Sequence, residues 1–138
     1  MAQNSLQIEI ATPGGKRSIG EAQACSAPGV LGRFQILPSH APLVSELSVG
    51  EIKIDSSEGT QYFAISGGYL EVVDNRVLLL LESAEAGGEI DVIRAEQALE
   101  RAKDRLHHRK EQNVDVARAE SALARAANRL KVAQRPSI

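Results

Sequence analysis

The sequence predicts an α+β chain: an N-terminal antiparallel β sandwich over residues 1–86, then a C-terminal antiparallel two-helix hairpin over residues 87–138. Three observations lead there. All 11 glycines lie at or before Gly88, and neither Gly nor Pro occurs from Glu89 to Arg135. Both residue types punctuate turns, so the first part reads as many short elements and the second as uninterrupted helix. Before Gly88 the apolar residues alternate with a period of two, as half-buried strands require. After it, one pattern of seventeen residues is written twice, from Ile90 to Leu106 and from Val114 to Leu130.

The strands follow in order. Leu6, Ile8 and Ile10 share one face, with Gln7 and Glu9 on the other. Similar runs occupy Glu51–Asp55, Gln61–Ile65, Tyr69–Val73 and Val77–Leu81. Turn signals separate them at Pro13-Gly14-Gly15, Pro28-Gly29, Glu58-Gly59, Gly67-Gly68 and Asp74-Asn75. Short strands at this spacing indicate an antiparallel sandwich or barrel, and Asp74-Asn75 suits a tight hairpin. Ser66-Gly67-Gly68 lacks the later Gly-Lys-Ser/Thr of a phosphate loop and leads into strand, so a tight turn is expected there. Pro38-Ser39-His40-Ala41-Pro42 reads as a rigid extended loop, because two prolines bracket the histidine. No Ser-His-Asp or Cys-His spacing accompanies His40, which favours a packed or interface histidine over a catalytic one.

The duplicated pattern is [IV]-D-V-x-R-A-E-x-A-L-x-R-A-x-x-R-L, its copies 24 residues apart, as Asp91 and Asp115 show. Each copy makes about 25 Å of helix at ~1.5 Å per residue. Ala95, Ala98, Leu99, Ala102 and Leu106 form one stripe, and Ala119, Ala122, Leu123, Ala126 and Leu130 form its counterpart. Alanine-rich stripes let two helices pack closely, with His107–Asn113 as the connector. That connector has no Gly or Pro, so the sequence also permits one long helical rod. Beside the apolar stripes run Arg94, Arg101 and Arg105, then Arg118, Arg125 and Arg129. Arginines four apart repel by a few tenths of a kcal/mol (about 0.2–0.5), and Asp91 and Asp115 each offset only the nearest one. The stripe is either a solvated flank or an anion site, since the guanidinium fork suits phosphate and carboxylate.

Composition narrows the function classes. Residues 1–86 hold 5 Lys/Arg against 10 Asp/Glu, and residues 87–138 hold 11 against 8. With a formal charge of −2 overall, a general nucleic-acid binder is disfavoured. Aromatics are only 3% of the chain and Trp is absent, so Val, Ile, Leu and Ala must fill the core. Cys25 is the single cysteine and cannot form an internal disulfide, which leaves the redox compartment open. The first residues show no basic start followed by an apolar run, so no signal peptide is expected. The aliphatic run Val77–Leu81 falls far short of the ~20 residues of a membrane span. Adjacent His107 and His108 diverge by about 100° on a helix, so no metal site is expected there.

Three blocks then resemble one family in order along nearly the whole chain. Gly32–Leu43 (GRFQILPSHAPL) is similar to its G-x-x-x-[IV]-L-P-x-H-x-P-L, Ser66–Val72 (SGGYLEV) to its S-G-G-[FY]-[LV]-E-V, and Ile90–Leu106 to its D-x-x-R-A-x-x-A-x-x-R-A helix. The family is that of the epsilon subunits of bacterial F-type ATP synthases, equivalent to the mitochondrial delta subunit. The resemblance implies a non-catalytic central-stalk rotor subunit of a proton-translocating complex, peripheral on the cytoplasmic face of the cell membrane. It implies that the sandwich contacts the gamma subunit and the c ring, with Arg33, Ser39, His40, Ala41 and Pro42 at the interface. Arg33 stands where an acidic residue is frequent, and Gln35 and Ser39 stand where Gly is common. The resemblance further implies a regulatory tail that extends to meet the catalytic β subunit and inhibits hydrolysis. In some members the folded hairpin binds ATP; the matching positions here are Glu85, Asp91, Arg94, Arg101, Arg125 and Arg129. A free-standing ATP-binding sensor and a structural coiled-coil adaptor are the competing readings. No cofactor is required by any of them.

Overall fold

A computed structural model describes residues 5–111 and 113–136. Eight strands come first: β1 (Leu6–Thr12), β2 (Gly15–Ala22), β3 (Ala24–Gly29), β4 (Gly32–Ile36), β5 (Leu43–Ser56), β6 (Gly59–Val73), β7 (Arg76–Leu81) and β8 (Ala84–Ala86). A 3-10 turn at Gly87–Glu89 leads to helices α1 (Val92–His107) and α2 (Val116–Ala133).

The strands follow the order β2-β1-β7-β6-β5-β3-β4, with β8 also on β6. The first part of β6 pairs with β8 at Phe63–Ile65, and its second part pairs with β7 at Gly68–Val73. One sheet therefore folds over on itself through the long strands β5 and β6, giving the two layers of a sandwich. The bend lies at Gly67 and Gly68, where φ is +122° and +145°. A Cβ added to Gly68 would come within 2.1 Å of the Leu80 carbonyl oxygen. The turn expected at Gly67-Gly68 is thus a corner inside one continuous strand: the glycines bend the backbone without ending its pairing.

Two further expectations change. The sheet is antiparallel except for β1 and β7, which run parallel from Gln7↔Arg76 to Ala11↔Leu80. Partners so distant in sequence leave no local turn signal to read. The turn expected at Pro28-Gly29 falls two residues later, at Val30-Leu31, because Pro28 and Gly29 still pair with Arg33 and Gly32. The Asp74-Asn75 hairpin is as expected. Its φ values of 49° and 62° are those of a type I′ turn, which matches the twist of the strands it joins.

Inward residues of both layers form the core: Leu6, Ile8 and Ile10 of β1, Ile52 and Ile54 of β5, Leu70 and Val72 of β6, and Val77 and Leu79 of β7. Each such side chain contributes roughly 1.5–3 kcal/mol on burial. Phe63 is the aromatic member.

Both helices begin at an aspartate. The Asp91 carboxylate accepts the Arg94 backbone N–H at 3.1 Å, and Asp115 accepts that of Arg118 at 3.0 Å. These carboxylates cap free main-chain donors, each worth about 1 kcal/mol, rather than offsetting arginine side chains. The hairpin seam is the alanine stripe, with Ala95, Ala102, Ala119 and Ala126 buried. α2 carries the main contact with β5 and β6. There a second, smaller core joins Val132 to Ala64 and Ile90, with Tyr62 at its edge.

Candidate functional site

The predicted nucleotide-site residues divide into two groups. Glu85 on β8 and Arg129 on α2 form a two-pronged ion pair: Arg129 Nε donates to Oε1 at 2.6 Å and a terminal nitrogen to Oε2 at 3.0 Å. Arg125, one turn earlier, lines the same small cavity of about 40 Å³ with Asn128, Ser66 and Ser83. Arg94 and Arg101 project from α1 into solvent and join no ion pair among the described residues. Asp91 is engaged as a helix cap. In this closed hairpin, then, Glu85, Arg125 and Arg129 converge, while Asp91, Arg94 and Arg101 lie apart from that cavity. Space for little more than one water remains between the converging groups. A phosphate would bind over the exposed Arg125, or would compete with Glu85 for the guanidinium of Arg129.

The second set of predicted residues lies at one end of the sandwich. Pro38–Pro42 packs beside the β6–β7 turn, where the backbone N–H of Ser39 donates to Asn75 Oδ1 at 2.6 Å. Ser39 has φ +68°, the left-handed region, which explains physically why Gly suits this position. His40 places Nδ1 2.6 Å from the Ala41 carbonyl oxygen. Ser39, His40 and Pro42 border an open cleft of about 590 Å³ with Glu21, Asn75 and Arg76. Exposed Ala41 completes the loop.

Arg33 is placed differently. It sits in β4, and its guanidinium donates to the Glu51 carbonyl oxygen at 2.7 Å. Arg33 remains exposed, and the adjacent hairpin tip presents Val30 and Leu31 beside it, with Leu31 fully exposed. An apolar pair between Gly29 and Gly32 was the available signal. On β3, beside β4, burial pushes the Cys25 thiol up to about 12, the Arg33 charge pulling the other way. That leaves Cys25 a protonated core residue rather than a nucleophile.

A third surface was not singled out from sequence. On the outer face of β5-β6-β7, Tyr69 lies opposite Leu80 and Glu46, and Glu71 lies opposite Val44 and Leu78. Val44, Tyr69, Val73 and Leu80 are all exposed large apolar side chains. The signal was present at the odd positions of β6: a solvated face would not carry both Tyr69 and Val73. Glu46 and Glu71 make the patch acidic as well as apolar.

Comparison with known proteins adds to this geometry. Residues 5–87 match the profile of the ATP synthase delta/epsilon chain β-sandwich domain, and residues 89–134 match that of its long α-helix domain. An ATP synthase epsilon chain of Syntrophomonas wolfei is 43% identical over 81% of this chain and 82% of its own. One from Carboxydothermus hydrogenoformans is 45% identical over 77% of this chain and 79% of its own. Among solved structures, a chain of the Euglena gracilis mitochondrial ATP synthase aligns with a TM-score of 0.75 at 22% identity, over 93% of this chain and 81% of its own. At that identity the likeness is one of fold.

Proposed function

Because the chain belongs to the ATP synthase delta/epsilon family, we propose that it is a rotor subunit coupling proton flow to ATP synthesis. As an epsilon chain it is an accessory subunit of the complex and not its catalytic one. The outer face of β5-β6-β7 carries the proposal. Its exposed Val44, Tyr69, Val73 and Leu80 form one apolar patch continuous with the end that bears the Ser39–Pro42 loop. Such a patch on a small domain marks a protein contact, and the gamma subunit is the partner assigned to it. The Val30-Leu31 tip meets the c ring together with exposed Arg33 of the same hairpin. Through these partners the chain sits at the cytoplasmic face of the membrane; no described helix is long and apolar enough to cross one.

The tail is the regulatory element. In the docked hairpin Arg129 is neutralised by Glu85 while Arg125 stays open to solvent. ATP phosphates at Arg125 hold the hairpin closed by neutralising like charges, the solvent-exposed Arg94 and Arg101 of the neighbouring helix turning toward them from outside that cavity. Without nucleotide the same arginines are free to meet acidic segments of the catalytic β subunit, with the tail extended and hydrolysis inhibited.

Co-expression with the gamma subunit of its own complex tests the rotor reading. A stable stoichiometric pair is expected, and Tyr69→Glu with Leu80→Glu should abolish it. A wild-type chain that stays apart from gamma would remove the rotor reading; unaffected variants would move the contact elsewhere. For the tail, calorimetry should detect ATP binding to the isolated chain, lost in Arg94→Ala and in Arg125→Ala. Equal binding by both variants would sink this nucleotide site.

A further inference from the structure

The two tail helices are copies, yet among the described residues α2 makes the main packing on the sandwich. Besides the Arg129–Glu85 pair, Asn128 and Val132 of α2 and Arg135 just past its end make the contact. Asn128 Nδ2 donates to the Gly50 carbonyl oxygen at 2.7 Å. Val132 is fully buried against Ala64 and Ile90. Arg135 Nε donates to Glu51 Oε2 at 2.9 Å, its guanidinium carbon 5.4 Å from the Tyr62 ring centroid. Glu51 is 8% exposed, a carboxylate held out of water on β5.

Applying the repeat offset of 24 residues pairs these three with Asp104 of the first copy and with His108 and Glu111 in the connector that follows it. Each substitution changes what the side chain can do. Asp104 would turn a carboxylate toward the Gly50 carbonyl, acceptor against acceptor. His108 would place a polar ring in the apolar contact. Glu111 would face Glu51 with the same charge. Meanwhile the shared pattern, including Arg101/Arg125 and Arg105/Arg129, leaves the copies alike. Arg129, which pairs with Glu85 of β8, has its counterpart in Arg105, so the difference in chemical type lies at Asn128, Val132 and Arg135 and not at every position that touches the sandwich.

We propose that Asn128, Val132 and Arg135 are a docking code written in the second half of α2 and the residues just after it, with no counterpart after α1. In it the Arg135–Glu51 ion pair is the clasp that sets the balance between docked and released tail, whether or not nucleotide is present. This deepens the regulatory reading of the tail and rests on the tail having two states. The clasp suits reversible use. Glu51 is shielded when docked and paired then; once α2 leaves, the carboxylate regains water, so release strands no buried charge. The Tyr62 face adds a cation–π contact on the same guanidinium, which a lysine serves less well.

The test is the distance between spin labels at Glu58→Cys and Lys103→Cys in the full chain, Cys25 being buried and protonated. Wild type should show one short, docked distance. Arg135→Ala should lower the docked-to-released ratio about tenfold. Arg135→Glu with Asn128→Asp, which rewrites α2 in the chemistry of α1, should release most of the tail. Glu51→Gln, which keeps side-chain volume, should also favour release, while Glu111→Arg should change nothing. Wild-type distance distributions in Arg135→Ala and Glu51→Gln would overturn the clasp. The hydrolysis rate of the assembled complex is read separately. A shifted distance with an unshifted rate upholds the clasp and removes the regulatory reading.

Discussion

Replacing Asn75 in three ways separates what its side chain does from what its backbone does. The residue sits at φ +62° in the β6–β7 turn, and its side-chain oxygen accepts the Ser39 N–H at 2.6 Å. Its own carbonyl accepts the Gln7 N–H at 2.8 Å, a main-chain bond that substitution leaves in place. Asn75→Gly keeps the left-handed backbone at no steric cost but removes the acceptor, leaving a part-buried N–H unpaired. That loss is about 1–1.5 kcal/mol. Asn75→Ala removes the same acceptor and also forces a Cβ into the left-handed region, adding about 1–2 kcal/mol. Asn75→Asp retains both features and should stay within about 0.5 kcal/mol of wild type. The expected order is therefore Asp near wild type, then Gly, then Ala. Urea titration resolves these steps as changes in midpoint at constant slope. The Gly variant should also bind gamma more weakly, because Ser39 and His40 lose their anchor. Equal midpoints for Gly and wild type would show that Asn75 does not hold the loop. Equal midpoints for Gly and Ala would refute the backbone argument.

Two further outcomes follow from local geometry. Gly68→Ala should cost more than about 3 kcal/mol, since a methyl 2.1 Å from the Leu80 carbonyl forces β6 and β7 apart; denaturant unfolding checks it, and a loss under about 1 kcal/mol would contradict it. The Arg17 side chain hydrogen-bonds Glu89 at 2.9 Å and holds the Glu89 carboxyl below its usual 4.5. A lowered folded value adds stability above the unfolded value and loses it as pH falls through the folded one. Arg17→Ala should thus be less stable than wild type at neutral pH, the gap closing below about pH 4.5; a gap constant down to pH 2 would reject the assignment.

Local signals were legible and non-local ones were not. Asp74-Asn75 read correctly because a type I′ turn needs two left-handed residues, and that chemistry is written in two adjacent letters. The hairpin tail read correctly because its repeat and alanine stripes are properties of one helix at a time. Gly67-Gly68 misled because the same residue type serves a turn and a strand corner; only the pairing of β6 on both sides distinguishes them. Arg33 was singled out as a charge, but its direction depends on the Glu51 carbonyl of another strand. The arginine stripe was visible as composition, whereas its division into Arg125 and Arg129 near Glu85, with Arg94 and Arg101 apart, depends on where α2 lands. The Arg135–Glu51 pair joins residues 84 apart in the sequence and so has no local signature.

The parallel partnership of β1 and β7 has a consequence for how the chain is made. β1 can pair at once with β2, since a short turn joins them. Its other edge stays open until residues 76–80 have left the ribosome. Closing so long a loop is slow compared with forming hairpins. During synthesis the first hairpin therefore waits, its Leu6, Ile8 and Ile10 uncovered, and the sandwich closes late and as a unit. The last strands complete the first, and only then does a finished surface exist on which the newly emerging tail can settle.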